Sequence, residues 1–245
     1  MRFFIELAYR GTNFHGWQRQ PNATTVQQTI EEALSKLLRE ECELVGCGRT
    51  DTGVHSSFYV AHFEYEGERA LDSKTVYQLN SILPRDIAIK RIYPSDKHAR
   101  FDAIEREYTY VISRTKNPFS NTLAWQMTGE LDIEAMQQAA SKLLLYSDFS
   151  SFEKLHSDNK TSLCKITKAE WEEHTTQQND KELVFTIVAD RFLRGMIRLI
   201  VGTLVSVGKG QLTVSDFETI IESKDVRRAS GAAPSDGLFL SRIDY

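Results

Sequence analysis

Apolar residues alternate with polar ones, or recur every three to four positions, along most of the chain, and this pattern predicts its strands and helices. The opening FFIELAY has the pattern of a strand. After a loop at residues 11–22, Thr24 or Thr25 is expected to cap a helix with the sequence TVQQTIEEALSKLL. The buried face of that helix should consist of Val26, Ile30, Ala33, Leu34, Leu37 and Leu38.

The pattern continues with a short strand that ends near Cys47, the loop GCGRTDTGVH and an alternating strand in SFYVAHFEYEG. A second helix, KTVYQLNSIL, should stop at Pro84 and be followed by the strands DIAIKRIYP and REYTYVISR. The resulting order βαββαββ predicts an α+β fold with antiparallel neighbours and helices covering the sheet. The strict alternation of a doubly wound fold is absent.

A second half follows a junction predicted at residues 115–131, which contain Asn117-Pro118 and Gly129. We therefore divide the chain into an N-terminal α/β half, residues 1–115, and a C-terminal α/β half, residues 116–245. The second half should contain helices at residues 132–146, 192–207 and 215–223, and the strands LCKITKAEWEEH, ELVFTIVAD and LFLSRIDY.

Composition fits an ordinary folded protein, with 41% hydrophobic and 26% charged residues among 245. The three cysteines form no CxxC pair, which favours buried or free reduced thiols. Glu6 and Arg10 interrupt the apolar opening, so we expect no signal peptide. The most apolar stretch, residues 199–207, is well short of the ~20 residues that span a bilayer. A cytoplasmic protein without membrane attachment is expected.

The formal net charge of −4 argues against indiscriminate coating of nucleic acid by bulk positive charge. A local basic cleft is compatible with it, although the same arginines could all be solvated surface residues. The candidates for such a cleft are Arg19, Arg49, Arg100, Arg106, Arg114, Arg191, Arg194 and Arg198.

The loop GCGRTDTGVH carries the most suggestive chemistry. Its glycines allow tight turns, so Asp51 could stand at the mouth of a cleft. A hairpin with a turn-stabilising aspartate explains the same residues, since Asp and Gly dominate turns. A phosphate-binding P-loop is disfavoured, because its spacing and its Lys-Ser/Thr ending are missing.

Residues 48–55, GRTDTGVH, resemble the GRTDxGVH signature of the tRNA pseudouridine synthase A family, in which the aspartate is essential. The chain departs from the family pattern at Ser56, Lys97 and Arg194-Gly195, and none of these changes removes the aspartate. Further matches extend the resemblance over essentially the whole chain, at residues 9–12, 16–20, 25–27, 79–84, 98–100, 106–110, 148–152, 192–193, 196–198, 201–204 and 237–240.

The resemblance implies an enzyme that isomerises uridine to pseudouridine in the anticodon stem-loop of tRNA, at positions 38, 39 and 40, after base flipping. No group enters or leaves, so we expect no cofactor and no metal, and the chain has no GxGxxG motif and no convincing His/Cys cluster. The implied fold has two ferredoxin-like halves joined into one continuous, mainly antiparallel sheet with a central cleft. The implied partners are tRNA and a second copy of the chain in a homodimer.

The resemblance also assigns roles to five residues. Asp51 is the catalytic carboxylate, acting as a nucleophile on the sugar or the uracil, or as a base toward the ribose. Arg198 is the cation that keeps a carboxylate ionised in a dry pocket, and Arg49 holds the RNA backbone or fills the space that the flipped base leaves. Tyr108 stacks on the uracil and handles the C5 proton, and Leu238 closes the pocket on the other face of the base.

Pattern alone gives these residues structural roles. Arg198 would share a helical stripe with Arg191 and Arg194, at i, i+3 and i+7, where arginines usually snorkel or form ion pairs. Tyr108 would be a core residue of a strand, and Leu238 would be simple packing.

Two rival functions remain open at this level. A glycoside or nucleoside hydrolase would break the same bond, but it would admit water and usually needs a second carboxylate. It would release free uracil. A non-catalytic RNA-binding or tRNA-folding module would be indifferent to Asp51→Ala.

Overall fold

The computed structural model describes residues 1–155, 161–177 and 180–245. Contacts divide the chain into two compact units. The first comprises Met1–Ile104 together with Phe239–Tyr245, and the second is Glu105–Leu238. The junction expected at residues 115–131 lies within the second unit, and the first unit is discontinuous along the chain.

The described part of the chain forms nine strands: β1 (Arg2–Tyr9), β2 (Val45–Gly46), β3 (His55–Glu64), β4 (Ile87–Pro94), β5 (Glu105–Ser113), β6 (Trp125–Gln126), β7 (Ile166–Thr175), β8 (Lys181–Ala189) and β9 (Leu238–Asp244). The same residues form five α-helices: α1 (Val26–Leu38), α2 (Ser73–Ile82), α3 (Ile133–Lys142), α4 (Met196–Gly208) and α5 (Val214–Ser223).

In the first unit, strands lie in the order β4, β1, β3 and β9, and β2 adds to β3. All of these pairs are antiparallel except β3 and β9, where His55 lies opposite Phe239 and Ser56 opposite Leu240. The ring of His55 stacks on Phe239 at 4.7 Å, and the Ser56 hydroxyl donates to the Leu240 carbonyl at 2.9 Å. The strand that follows the GRTD loop is thus held by the last residues of the chain.

Helix α1 confirms the prediction from the sequence. The Thr25 side chain accepts a hydrogen bond of 3.4 Å from the Gln28 amide, as an N-cap does. Ile30 and Leu34 on the predicted face are fully buried, whereas Leu37, at the edge of that face, is only half-buried.

The second unit contains an antiparallel ladder of β5, β8 and β7, with β6 parallel to β5. Helix α3 packs against β7, α4 and α5, and the core contains Phe185, Ile187, Ile200 and Leu204. The predicted helix at residues 132–146 is shorter, because α3 gives way to a 3-10 turn at Leu143–Leu145. Both units combine antiparallel strands with helices, which confirms the α+β class.

The helix predicted at residues 192–207 begins four residues late. Gly195 has φ 72°, in the left-handed region, so the right-handed helix α4 can only begin after it, at Met196. Arg191 and Arg194 precede the helix, and Arg198 lies within it. The predicted stripe of three arginines on one helix is therefore wrong.

All three cysteines, Cys42, Cys47 and Cys164, are buried free thiols, as the sequence predicts. Burial raises the pKa of Cys42 to about 11 and that of Cys164 to about 12, so both stay protonated at neutral pH. None of the helices formed by the described residues is long and apolar enough to cross a membrane.

Candidate active site

The loop between β2 and β3 presents the two site residues that the sequence predicts in the first unit. Arg49 is exposed, Asp51 is half-buried, and Thr50 between them is buried. The Val54 amide donates to the Asp51 carbonyl at 3.1 Å, and the turn passes through Gly53 at φ 80°. The glycine lets the chain reverse directly after the aspartate, so the carboxylate stands at the bend of the loop.

Three hydrogen bonds from buried aromatic residues support this loop. The Tyr59 hydroxyl donates to the Gly48 carbonyl at 2.5 Å, and the Tyr9 hydroxyl shares a hydrogen bond of 2.8 Å with the Thr50 hydroxyl. The Trp17 amide donates to the Thr50 carbonyl at 3.2 Å. The backbone is therefore tied on both sides of Arg49.

The segment that follows β1 packs backbone to backbone against the same loop, which explains its glycines. A Cβ on Gly11 would collide with the Val54 carbonyl, and one on Gly16, which has φ 86°, would collide with the Thr50 carbonyl. The Gly11 amide donates to Nδ1 of His55 at 2.9 Å. These contacts link the matched residues 9–12 and 16–20 to the position of the GRTD loop.

In the second unit, Tyr108 lies on β5 and is 9% exposed. Its ring meets Phe192 edge to face at 5.2 Å, an arrangement that aromatic pairs favour. Tyr110, two residues on, is fully buried, and its hydroxyl donates to the Pro234 carbonyl at 2.8 Å. Burial raises the pKa of Tyr110, and the nearby Arg198 charge opposes this only in part. Tyr110 is thus a neutral structural donor.

Arg198 and Leu238 flank one irregular segment of the second unit. Nε of the half-buried Arg198 donates to the Ala233 carbonyl at 2.6 Å, and the Ala233 amide donates to the Arg198 carbonyl at 2.8 Å. Leu238, 5% exposed, opens β9 directly after Gly237, where a Cβ would collide with the Val111 carbonyl. Arg198 therefore helps to hold the segment that leads to Leu238.

Sequence reasoning missed two contributors to this arrangement. Tyr110 and the backbone at residues 233–234 support the approach to Leu238, although neither carries a reactive group of its own. The glycine at position 237 was the available signal, because it precedes Leu238 in the matched run GLFL.

Several arginines expected in a basic cleft have structural partners. Arg19 pairs with the buried Glu31 at 3.0 Å, and Arg106 donates to the Asp190 carbonyl at 2.7 Å. Arg114 donates to the Met127 carbonyl at 3.3 Å. Each of the three therefore contributes to local structure, whatever else it does.

The two units thus carry separate sets of predicted residues: the first has Arg49 and Asp51, and the second has Tyr108, Arg198 and Leu238. No group of three His, Cys, Asp or Glu side chains is arranged to hold a metal ion within residues 1–155, 161–177 and 180–245.

Comparison with known proteins agrees with the family resemblance that the sequence motifs indicate. A family model described as tRNA pseudouridine synthase matches residues 7–102 and 139–245. These segments include four of the predicted site residues and leave out Tyr108.

Curated relatives match the chain over nearly its full length. A protein of Bacteroides fragilis named tRNA pseudouridine synthase A is 48% identical over 246 residues, which cover 100% of this chain and 96% of that protein. A protein of the same name from Bacteroides thetaiotaomicron is 49% identical, with coverage of 100% and 90%. Another from Acetivibrio thermocellus is 41% identical, with coverage of 98% and 97%.

Proposed function

Since the chain belongs to the tRNA pseudouridine synthase family and isomerises tRNA uridine as that family does, we propose that its targets are the uridines at positions 38, 39 and 40 of the anticodon stem-loop. Asp51 starts the reaction, and Arg49, Tyr108, Arg198 and Leu238 hold the nucleotide. The observation that carries this proposal is the half-buried carboxylate at the bend of a loop whose backbone is tied at Gly48 and Thr50.

The reaction rearranges bonds within one nucleotide. The bond from N1 of uracil to C1′ breaks, the base turns, and C1′ bonds to C5 of the same base. The proton lost from C5 is matched by the proton that N1 gains, so nothing is consumed. The protein must therefore hold the detached base close to the sugar, and it needs no co-reactant for the balance.

Access to the base requires that it leave the helical stack. Unstacking costs a few kcal/mol, which contacts to the flipped nucleotide must offset. The exposed Arg49, two residues from Asp51, can bind the phosphate backbone next to the site or fill the vacated position. Its neighbour Thr50 is buried, which keeps the base of this side chain fixed.

The second unit contributes the surroundings of the base. Tyr108 offers a ring for stacking and a hydroxyl that can take up the C5 proton, and Phe192 holds that ring from one edge. Leu238 offers an apolar surface for the opposite face of the base. Arg198 supplies the positive charge that stabilises an ionised Asp51 away from water, and its Nε bond to Ala233 fixes its orientation.

We further propose that the enzyme works as a cytoplasmic homodimer. The net charge of −4 is unfavourable for binding a polyanion, and pairing two chains would concentrate arginines in one cleft. Light scattering should give the mass of two chains for the purified protein alone, and the mass of two chains plus the bound tRNA after tRNA is added. A mass that contains only one chain in both conditions would overturn this part of the proposal.

Release of tritium tests the assignment of Asp51. An anticodon stem-loop labelled at C5 of uridine should lose tritium to water with the wild-type chain, and Asp51→Asn should lower the rate by at least about 10³-fold. Asp148→Asn is a matched control, since that half-buried carboxylate pairs with Lys224 in the second unit. It should retain activity. Equal release by wild type and Asp51→Asn would refute the assignment, and free uracil in place of pseudouridine would indicate a hydrolase.

A further inference from the structure

We propose that Tyr59 and Tyr9 are positioning residues for Asp51, which set the rate of the chemical step through the backbone of the catalytic loop. This inference rests on the proposed role of Asp51. Neither tyrosine is assigned to the reaction by its motif, and both are buried beneath the loop, at 0% and 4% exposure. Their rings therefore act from behind the site and do not touch the substrate.

The two hydroxyls hold alternate residues of the loop. Tyr59 donates to the carbonyl of Gly48 at 2.5 Å, and Tyr9 shares a hydrogen bond of 2.8 Å with the hydroxyl of Thr50. Arg49 lies between the two points of attachment and Asp51 directly follows the second. Movement of either attachment would shift the backbone from which both functional side chains project.

The rings that carry these hydroxyls are themselves immobilised. Tyr59 stacks on Trp17 with 4.0 Å between ring centroids and an interplanar angle of 27°. Tyr9 meets Tyr59 at 5.5 Å and Trp17 at 6.1 Å. Tyr9 closes β1 and Tyr59 lies inside β3, so each ring stands on a strand of the sheet. Rigid elements locate a functional group more accurately than a loop does.

The packing of Tyr59 against Trp17 requires a residue without a side chain at position 46. A Cβ on Gly46 would collide with the Tyr59 hydroxyl and with the indole of Trp17. Gly46 closes β2, immediately before the loop. Gly46 therefore packs directly against Tyr59 and Trp17, the aromatic residues that support the loop.

Precise placement matters because a catalytic group displaced by about 1 Å can lose about 100-fold in rate. A phenylalanine at position 59 or 9 keeps the packed ring and removes only the hydroxyl. We expect Tyr59→Phe and Tyr9→Phe each to lower kcat about tenfold, with KM for tRNA unchanged within about twofold. A purely structural hydroxyl would change stability and leave kcat as it was.

Tyr65→Phe is the matched control. Tyr65 is buried in the same unit, and its hydroxyl accepts a hydrogen bond of 3.2 Å from the backbone amide of Arg69, away from the loop. Loss of the Tyr65 hydroxyl should reduce stability as the other two substitutions do, while kcat stays within about twofold of the wild type.

A second measurement is independent of activity. Hydrogen–deuterium exchange should speed up about tenfold at residues 48–54 in Tyr59→Phe and Tyr9→Phe, and should stay unchanged there in Tyr65→Phe. Unchanged exchange in that loop would overturn the proposal whatever the enzyme assay shows. Faster exchange with an unchanged kcat would overturn it as well. A wild-type chain without tritium release would overturn the proposed function and with it the effect on rate, whereas the exchange data would still show whether the two hydroxyls hold the loop.

Discussion

His62 should make the protein less stable as the pH falls below 6.5. It lies on β3, is 4% exposed, and its Nδ1 accepts a hydrogen bond of 3.1 Å from the Ala99 amide. Burial, followed by the positive charges of Arg2 and His98, lowers the pKa of His62 from 6.5 to about 4, and Glu64 opposes the shift. A proton on Nδ1 would also turn this acceptor into a donor that faces another donor.

The sign of the effect follows from the two states. Below pH 6.5 the unfolded chain takes up a proton on this histidine, whereas the folded protein stays neutral until about pH 4. The contribution of His62 to the free energy of unfolding should therefore fall by about 1.4 kcal/mol per pH unit inside this window and stay constant outside it. The total is about 3.4 kcal/mol, a large part of the roughly 5–15 kcal/mol by which native proteins are stable.

Urea unfolding of the wild type and His62→Asn at pH 7, 6 and 5 tests the prediction. Asparagine keeps an acceptor near the position of Nδ1 and removes the titration, so it should abolish about 2 kcal/mol of the loss between pH 7 and pH 5. His15→Asn is the control, because His15 is exposed. Carboxylates with pKa values lowered from 3.8, such as that of Asp72, act below this window. Equal pH dependence in wild type and His62→Asn would refute the reasoning.

Two further substitutions test the local structure of the second unit by thermal unfolding. Thr213→Ala removes the capping box that Thr213 forms with Asp216 at the start of α5, and it should cost about 1 kcal/mol; an unchanged melting temperature would contradict this role. Gly202→Ala should destabilise α4 despite the better helix propensity of alanine, because its methyl group would collide with the Gly231 carbonyl. Gly208→Ala, whose methyl group would collide with the flexible side chain of Met136 and touch that of Leu131, should be tolerated better, and the reverse order of stabilities would contradict the packing argument.

Local patterns predicted the regular elements well, since a strand or helix is specified by neighbouring residues. The order of elements in the first half and the cap at Thr25 are examples. The start of α4 was predicted too early, because periodicity registers apolar spacing and cannot show that Gly195 has a positive φ. The burial of two acidic residues, Glu6 and Glu31, could not be predicted from the sequence either.

Both acidic residues can be buried because each binds partners that lie elsewhere in the sequence. Glu6 binds the guanidinium of Arg91 through two hydrogen bonds, at 2.6 and 2.5 Å, although the two residues are 85 positions apart. Glu31 pairs with Arg19 and accepts a hydrogen bond of 2.9 Å from the Leu44 amide. A carboxylate is stable in the interior when such partners are present, and only the folded chain reveals them.

In the candidate site, too, some residues could be predicted from the sequence and others could not. Asp51 and Arg49 could be named because a contiguous and specific motif carries them. The tyrosines that support their loop come from β1 and β3, and nothing in the spacing of positions 9 and 59 relates them to position 50. Resemblance thus points to Asp51 and Arg49, whereas the hydrogen bonds that hold their loop are visible only in the folded chain.

Strand β9, which completes the first unit, follows the second unit in the chain and is therefore translated after it. While the ribosome is still making the second unit, β3 lacks its neighbour β9, and the Ala99 carbonyl lacks the Tyr245 hydroxyl that binds it at 2.7 Å. The nascent polypeptide can therefore form most of the first unit early and complete its sheet only after the second unit has been made. A chain truncated before β9 would leave β3, the strand that follows the GRTD loop, without this neighbour, and we expect such a truncation to abolish activity.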